Sequence, residues 1–298
     1  MAAPSNTFTT LVAKGNREDL ENVIYRVDPE ATPFTSNIDK VKVKNTFHEW
    51  QIEELEPVSP SVQPVEGDEI TSYGPVVNTN RVGNIAQIFQ KTGLVAATQE
   101  AVDRAGVDSD FEHQKVLKGL AMKRDIEARM IGNYASNVQS GGTGRGTAGA
   151  LAWITTNISR NTGANGGYAN GIVSAATNGT TRAFTETQLK TVMASAFSKG
   201  GVPTQAYMGP AHKQAASAFT GIAQQRHEVG GKGKVSIIGA ADIYVSDFGD
   251  LAFIPHAYGL TRDVLLIDPS KWAVGTLRAM DTVDLAKTGD NMKFLMTA

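Results

Sequence analysis

At 298 residues the chain allows one large domain or two to three modest ones, and its 41% hydrophobic content is enough to bury a real core. A net charge of -2 and a pI of about 6.2 argue against the basic stripe and the pI above ~9 that mark a tight nucleic-acid binder. The absence of cysteine rules out disulfides, thiolate zinc sites and cysteine nucleophiles. Charged residues make up 19% of the chain, below the roughly 25% typical of globular domains. The resulting neutral surface suits broad protein–protein contact. Met1 to Thr10 has neither a basic nor an apolar signal region, so no secretory leader is expected, and no run approaches the ~20 apolar residues of a membrane span.

Residues 1–37 read as an irregular arm punctuated by Pro4, Pro29 and Pro33, with one short helix over Asn16–Arg26. Such arms rarely fold alone and tend to lie on a partner. Residues 40–47 alternate, with Val41, Val43 and Phe47 on one face and Lys40, Lys42, Lys44 and Thr46 on the other, which predicts a strand. Trp50 and Ile52 continue on the opposite face, so a register switch is expected near His48–Glu49. Residues 54–74 form an acidic tip studded with Pro57, Pro60 and Pro64, and a second extended run follows over Val76–Val95. Two strands around a polar tip make a long hairpin. A two-stranded ribbon is marginal alone in water, so this one is expected to pack on something else, plausibly another subunit.

Thr98 is the expected cap of a short helix to about Arg104, closed by Gly106. Asp108 or Ser109 then opens a long helix to about Asn133. Its apolar stripe is Met122, Ile126, Met130 and Tyr134, and Lys118, Lys123, Arg124, Asp125, Glu127 and Arg129 fill the other faces. About 25 residues give a rod of roughly 40 Å. Residues 139–180 are the loosest part of the chain. They hold ten of its 30 glycines, and one apolar island, Leu151–Ile154, reads more like a strand than a helix. From Thr185 a capped helix to Lys199 precedes a short strand at Ala206–Met208 and a helix from Pro210 to about Ala223. Strands are expected at Val235–Ile238, Ala241–Val245, Leu251–Pro255 and Val264–Ile267. This order suggests an α/β lobe over about 185–260, with extended segments Trp272–Leu277 and Met292–Met296 closing the chain.

Candidate chemistry is sparse. His48, His113, His212, His227 and His256 form no HxH or HExxH pattern and read as solvated or hydrogen-bonded side chains. Gly144-Arg145-Gly146-Thr147-Ala148-Gly149 matches G-x-G-x-x-G, but no buried strand precedes it. Glu53–Glu54 and Asp68–Glu69 lie in or beside the tip, where nothing buries a carboxylate, so they read as solvated charges rather than as a glycosidase pair. Ser195 sits inside a helix with no histidine nearby in sequence. Gly230-Gly231-Lys232-Gly233-Lys234, preceded by Arg226 and His227, reads as an exposed basic turn. No catalytic, cofactor-binding or metal-ligating residue is nominated.

Several stretches in fixed order carry a resemblance. They are Phe47-His48-Glu49-Trp50, Asn84-Ile85-Ala86-Gln87-Ile88-Phe89, Lys123-Arg124-Asp125-Ile126-Glu127, Phe197 to Pro203, Tyr244 to Gly249, Leu265 to Pro269 and Leu285 to Asp290. From about residue 30 to 298 the chain resembles the SU10-type major head proteins of tailed bacteriophages, a branch of the HK97-fold capsid family. That resemblance implies an α+β fold: an N-terminal arm (1–37), an extended E-loop (38–95) and a peripheral P-domain (96–184) with a spine helix over 108–135. An axial A-domain (185–260) and return strands of the P-domain (261–298) would complete it. The Gly-rich 139–180 segment has no firm counterpart. The resemblance further implies self-assembly into pentamers and hexamers of an icosahedral shell around double-stranded DNA, through contacts of the E-loop and arm with neighbouring subunits. Portal, scaffolding and decoration proteins are possible partners, packaged DNA only a weak non-specific contact, and there is no membrane partner. The chain would be a virion component, assembled in the host bacterial cytoplasm, with no catalytic centre. Lys40, Lys42 and Lys44 lie near the base of the hairpin rather than its tip, so a Lys–Asn crosslink between subunits is not expected. An encapsulin-like compartment and a small-molecule enzyme using the Gly-rich loop are the alternative readings.

Overall fold

A computed structural model describes residues 28–219 and 242–298, apart from positions 62, 64, 68, 70–72, 75 and 104. The expected helix at Asn16–Arg26, the strand at Val235–Ile238 and the basic turn at 230–234 lie outside the described residues, as does all of the arm before residue 28.

The described strands of the lobe lie at or near their expected positions. Strands β7 (Gln205–Met208), β8 (Ile243–Ser246), β9 (Gly249–Pro255) and β10 (Val264–Ile267) form one sheet in the order β10-β7-β9-β8. The β7–β9 pair is parallel and the two outer pairs are antiparallel. Helix α5 (Glu186–Ser198) turns Leu189 and Met193, one helical turn apart, into a core with Ala206, Met208, Leu251 and Phe253. Thr185 precedes α5 without a side-chain cap, and α6 (Pro210–Ser217) ends before the expected Ala223. Because β10 pairs with β7, the expected boundary at 260/261 falls inside the lobe's own sheet.

The spine helix α3 (Asp110–Ile131) starts where Ser109 Oγ accepts the backbone N–H of Glu112. The helix before it, α2 (Ala97–Ala101), begins after Ala96, so Thr98 lies inside it rather than capping it. The buried residues of α3 are Phe111, Met122, Glu127 and Ile131 rather than one straight stripe. The helix meets different neighbours along its length, so its buried face rotates. At its N-terminal end it rests on a three-stranded antiparallel sheet of β12 (Asp281–Leu285), β13 (Asn291–Thr297) and β4 (Gln90–Ala96), in the order β12-β13-β4. There Phe111 meets Phe294 edge-on at 5.5 Å. Gly93 sits directly opposite Phe294 in the ladder, and a Cβ at that position would overlap the Phe294 ring.

Two expected strands each split in two. Residues 40–47 are not one strand: β1 (Asp39–Lys42) runs parallel to β11 (Ala273–Thr276), whereas β2 (Phe47–Ile52) pairs antiparallel with β3 (Asn80–Ile85). The switch falls at 43–46, ahead of the expected His48–Glu49. There Asn45 Oδ1 accepts the N–H of Thr46 and bends the chain. Likewise 76–95 breaks at 86–89, so β3 belongs to the hairpin and β4 to the sheet under the spine. The hydrogen-bonded hairpin is thus Phe47–Ile85, shorter than the expected 38–95.

The Gly-rich segment is more ordered than its composition suggests. Asn137 and Gly146 bridge across a tight turn, Ala150–Trp153 is a short helix (α4) rather than a strand, and β5 (Gly167–Ala169) pairs with β6 (Ile172–Ser174). Ala148, Ala152 and Val173 form a small buried cluster against Trp153 and Tyr168. The methyl-sized alanines and bare glycines allow backbone to pack directly on backbone, which a loop-like composition conceals.

Replacing Gly93 by alanine should force Phe294 from its site and cost about 1–3 kcal/mol, the range typical of overpacked cores. Chemical denaturation of the purified chain measures this, and an unchanged midpoint would contradict the packing described.

Candidate assembly interface

The most constrained site in the described residues is a buried carboxylate. Glu127 projects from the spine helix with none of its side chain exposed. Its Oε1 accepts the backbone N–H of Phe34 at 2.6 Å and Nε2–H of His256 at 2.9 Å. Its Oε2 accepts the N–H of Thr35 at 2.9 Å and the Thr35 hydroxyl at 2.6 Å. Phe34 and Thr35 lie in the first turn of α1 (Pro33–Asn37), and the preceding Thr32 makes no side-chain cap. Glu127 therefore satisfies, from 92–93 residues away, the free N–H groups that a helix start leaves open. His256 Nδ1 accepts the N–H of Tyr258, which leaves its proton on Nε2, facing Glu127. Burial pushes the Glu127 carboxyl up, but the hydrogen bonds from His256, Thr35 and Phe34 outweigh it and hold the pKa below the ordinary value.

Around this carboxylate the segment 28–38 is fastened to its own chain. Asp28 lies 3.8 Å from Arg124, the Tyr258 hydroxyl donates to the carbonyl of Pro29, and Asn37 donates to the Tyr207 hydroxyl at 3.1 Å. Phe34 and Ile38 enter a core with Ile131, Tyr207, Leu260 and Leu265. Residues 28–37, expected to belong to an arm lying on a partner, are instead its anchored root.

The base of the hairpin is fastened as firmly. The Asn84 side chain donates to the carbonyl of Ala148 and accepts its N–H at 3.0 Å, and Gln87 Oε1 accepts the N–H of Thr147 at 3.1 Å. Trp50 lies 5.3 Å from Trp153, which stacks on Tyr168. Beyond this base the described apolar residues of the tip lie open. Leu55 and Val58 are 96% and 94% exposed, and Val65, Tyr73 and Val76 are also open to solvent. Apolar side chains spread along one protrusion mark a surface that another protein covers.

The other sequence candidates stay scattered. His48 stands beside Trp50, His113 is on α3 and His212 meets the edge of Phe184, while His227 lies outside the described residues. Among the described residues no group of three His, Asp or Glu side chains is placed to hold a metal ion. Gly144 and Gly146 lie in or beside the bridged turn, and Gly149 is wedged against the carbonyls of Arg129 and Gly132. That is the negative, C-terminal end of α3, the opposite of a phosphate cradle. Ser195 Oγ bonds the Asn157 side chain at 2.8 Å. Glu53, Glu54 and Glu69 are exposed, and Asp68 lies outside the described residues. Lys40 and Lys42 lie on β1, in the ladder with β11.

Glu127 itself was assigned to the charged faces of the spine, and the structure corrects this. The one local signal is that it precedes the fully buried Ile131 by a single helical turn. Of its neighbours in the Lys123–Glu127 stretch, Arg124 faces Asp28 and Asp125 pairs with Lys91 on β4. The stretch is thus a row of junctions between segments.

A model of the SU10 major capsid protein family matches residues 3–298. A protein described as "Major capsid protein" from Escherichia phage Phieco32 is 28% identical over 135 residues, which is 45% of this chain and 38% of that relative. The matched stretch therefore spans well under half of the relative's length. Among solved structures, a chain of Mycobacterium phage Bobi superposes with a TM-score of 0.57 at 14% identity, covering 96% of this chain and 88% of that one. A chain from the capsid of cyanophage P-SCSP1u gives 0.54 at 12% identity, covering 99% and 91%. At such identities the likeness is one of fold, the HK97-like capsid fold.

Glu127→Ala leaves four donors without an acceptor, two of them fully buried, and should lower stability in denaturant unfolding by at least about 1–3 kcal/mol, the cost of an unsatisfied buried group. The carboxyl is held below its ordinary value of 4.5, so its contribution is complete above that pH and is lost as pH falls through the lower folded-state value. Acid unfolding should therefore flatten in Glu127→Ala relative to the parent. A variant as stable as the parent, with the same acid profile, would contradict the junction.

Proposed function

The chain belongs to the SU10 major capsid protein family, and we propose on that premise that it builds the head of a tailed bacteriophage, its copies forming the pentamers and hexamers of an icosahedral shell around double-stranded DNA. The observation that carries this reading is the hairpin. Its base is locked by Asn84, Gln87 and Trp50, yet its tip shows Leu55 and Val58 almost wholly to solvent. A two-stranded ribbon carrying such residues gains stability only by lying on another protein. In a shell the other protein is the next copy of the same chain, a heterologous contact that closes into rings.

In this reading the arm before residue 28 and the E-loop, assigned to 38–95, reach neighbouring subunits. The P-domain (96–184 and the chain after β10) forms the rim, and the A-domain, expected over 185–260 and completed by β10, meets the local symmetry axis. Many interfaces of moderate size add up, so no single residue need dominate. The chain acts as a structural protein with no catalytic centre, it is part of the virion, and assembly takes place in the host cytoplasm. Portal, scaffolding and decoration proteins are its further partners. The net charge of -2 suits a wall that contains DNA without gripping its phosphates.

Negative-stain microscopy of the purified protein, alone and with its phage's assembly factors, tests the reading. Closed shells are expected, and monodisperse monomers under every condition would refute it. Deleting residues 56–72 should leave the lobe folded by circular dichroism and abolish shells. Intact shells from that deletion would remove the hairpin from assembly.

A further inference from the structure

The hairpin needs a landing site, and the described residues offer one. From Asn45 to Asn80 the sequence carries Glu49, Glu53, Glu54, Glu56, Glu66, Asp68 and Glu69 and not a single lysine or arginine. Between the Gly-rich segment, α5 and the 262–272 stretch lies an open cavity of about 520 Å³ whose lining includes Arg160, Arg182, Arg262 and Lys271. Three of these cations are held by neutral acceptors. Arg160 donates to the carbonyls of Ala164 and Thr177, Arg182 to the Ser159 hydroxyl and Arg262 to the carbonyl of Gly179. Among the described residues, none of the four is within ion-pairing distance of a carboxylate. Asp263 and Asp268 also line the cavity, so the balance there is positive, and Asp268 already accepts the N–H and hydroxyl of Ser270. The lining also carries large apolar side chains, among them Trp153, Ile154, Phe184 and Trp272.

We propose that this cavity receives the acidic hairpin tip of a second copy of the chain, its arginines and Lys271 facing the tip's glutamates while Leu55 and Val58 enter against the aromatic wall. This rests on the shell reading above and deepens it by naming the acceptor. Two complementarities agree: a stretch whose charges are all negative meets cations without a carboxylate partner, and open aliphatic side chains meet the aromatic side chains of the lining. Leu55 and Val58 do not occupy the cavity of their own chain, since both stand in solvent. Nucleic acid is the poorer occupant, because the carboxylates of Asp263 and Asp268 share the cavity and would repel phosphates. Charge pairs of this kind fix which partner docks and in which register more than they add raw affinity.

A charge swap tests it. Glu53→Lys/Glu54→Lys/Glu56→Lys reverses the tip. Arg182→Glu/Lys271→Glu reverses the cavity and spares Arg160 and Arg262, which hold backbone carbonyls. Each set alone should lower shell yield at least about tenfold, and the two combined in one chain should restore it to within about threefold. A combined chain no better than either half would overturn the proposal. Because the chain has no cysteine, a second measurement is clean. Glu54→Cys/Thr181→Cys, oxidised within assembled shells, should give covalent chains of two or more copies on a non-reducing gel. Shells whose chains stay uncrosslinked, or close the disulfide only within one copy, would overturn the docking site and leave the shell reading intact. Failure of the unaltered chain to form shells at all would overturn the shell reading itself.

Discussion

Three distant parts of the sequence converge on one carboxylate. Glu127 draws the first turn of α1, the C-terminal part of the spine helix and the end of strand β9 to a single buried point, where its two oxygens take four donors. A charge with no solvent is costly unless every lone pair is used, and here each oxygen is doubly occupied. That requirement fixes positions as well as energy. Phe34 and Ile38 enter the core only if α1 sits where Glu127 can cap it, and β1 then leaves α1 already aligned with β11. The root of the arm, the spine and the lobe thus share one origin, from which the protruding parts of the chain start in defined directions.

Beyond that origin the molecule divides into tied and untied surface. The hairpin base is gripped twice, by amide side chains that read the backbone of residues 147–148 and by the Trp50–Trp153–Tyr168 stack. Leu55, Val58, Val65, Tyr73 and Val76 of its tip stand exposed. Such an arrangement suits a subunit that joins others: the parts that set angles are rigid, and the parts that make contacts are left unsatisfied until a neighbour arrives. The low charge content fits the same purpose, because neutral surface can be covered without stripping many ions of water.

What the sequence discloses follows the range of the forces involved. Ser109 as a cap, Leu189 and Met193 on one helical face, and the strand at Val264–Ile267 are legible because the deciding contacts lie within a few residues. The split of 76–95 is hidden, because both halves read as β and only their partners, β2 and β13, send them to different sheets. The short helix Ala150–Trp153 is hidden by its glycine-rich surroundings, since the close backbone packing that orders it leaves no periodicity. Strand β12 is polar, exposed and paired on one side only, so it shows almost no pattern. Glu127 looks like any charged helix residue until a segment more than ninety positions earlier folds onto it. The family match covers residues 3–298, but the way a stretch such as Lys123–Glu127 joins separate segments appears only in three dimensions.

The subunit's organisation depends on the arm's root being held by Glu127 in the single chain, before any shell exists. Amide hydrogen exchange at Phe34 and Thr35 measures this directly in purified, unassembled protein. Protection of both amides comparable to that of the central strand β7 is the predicted result. Exchange as fast as that of the exposed hairpin tip would mean that the root is free and that the buried carboxylate does not organise the subunit.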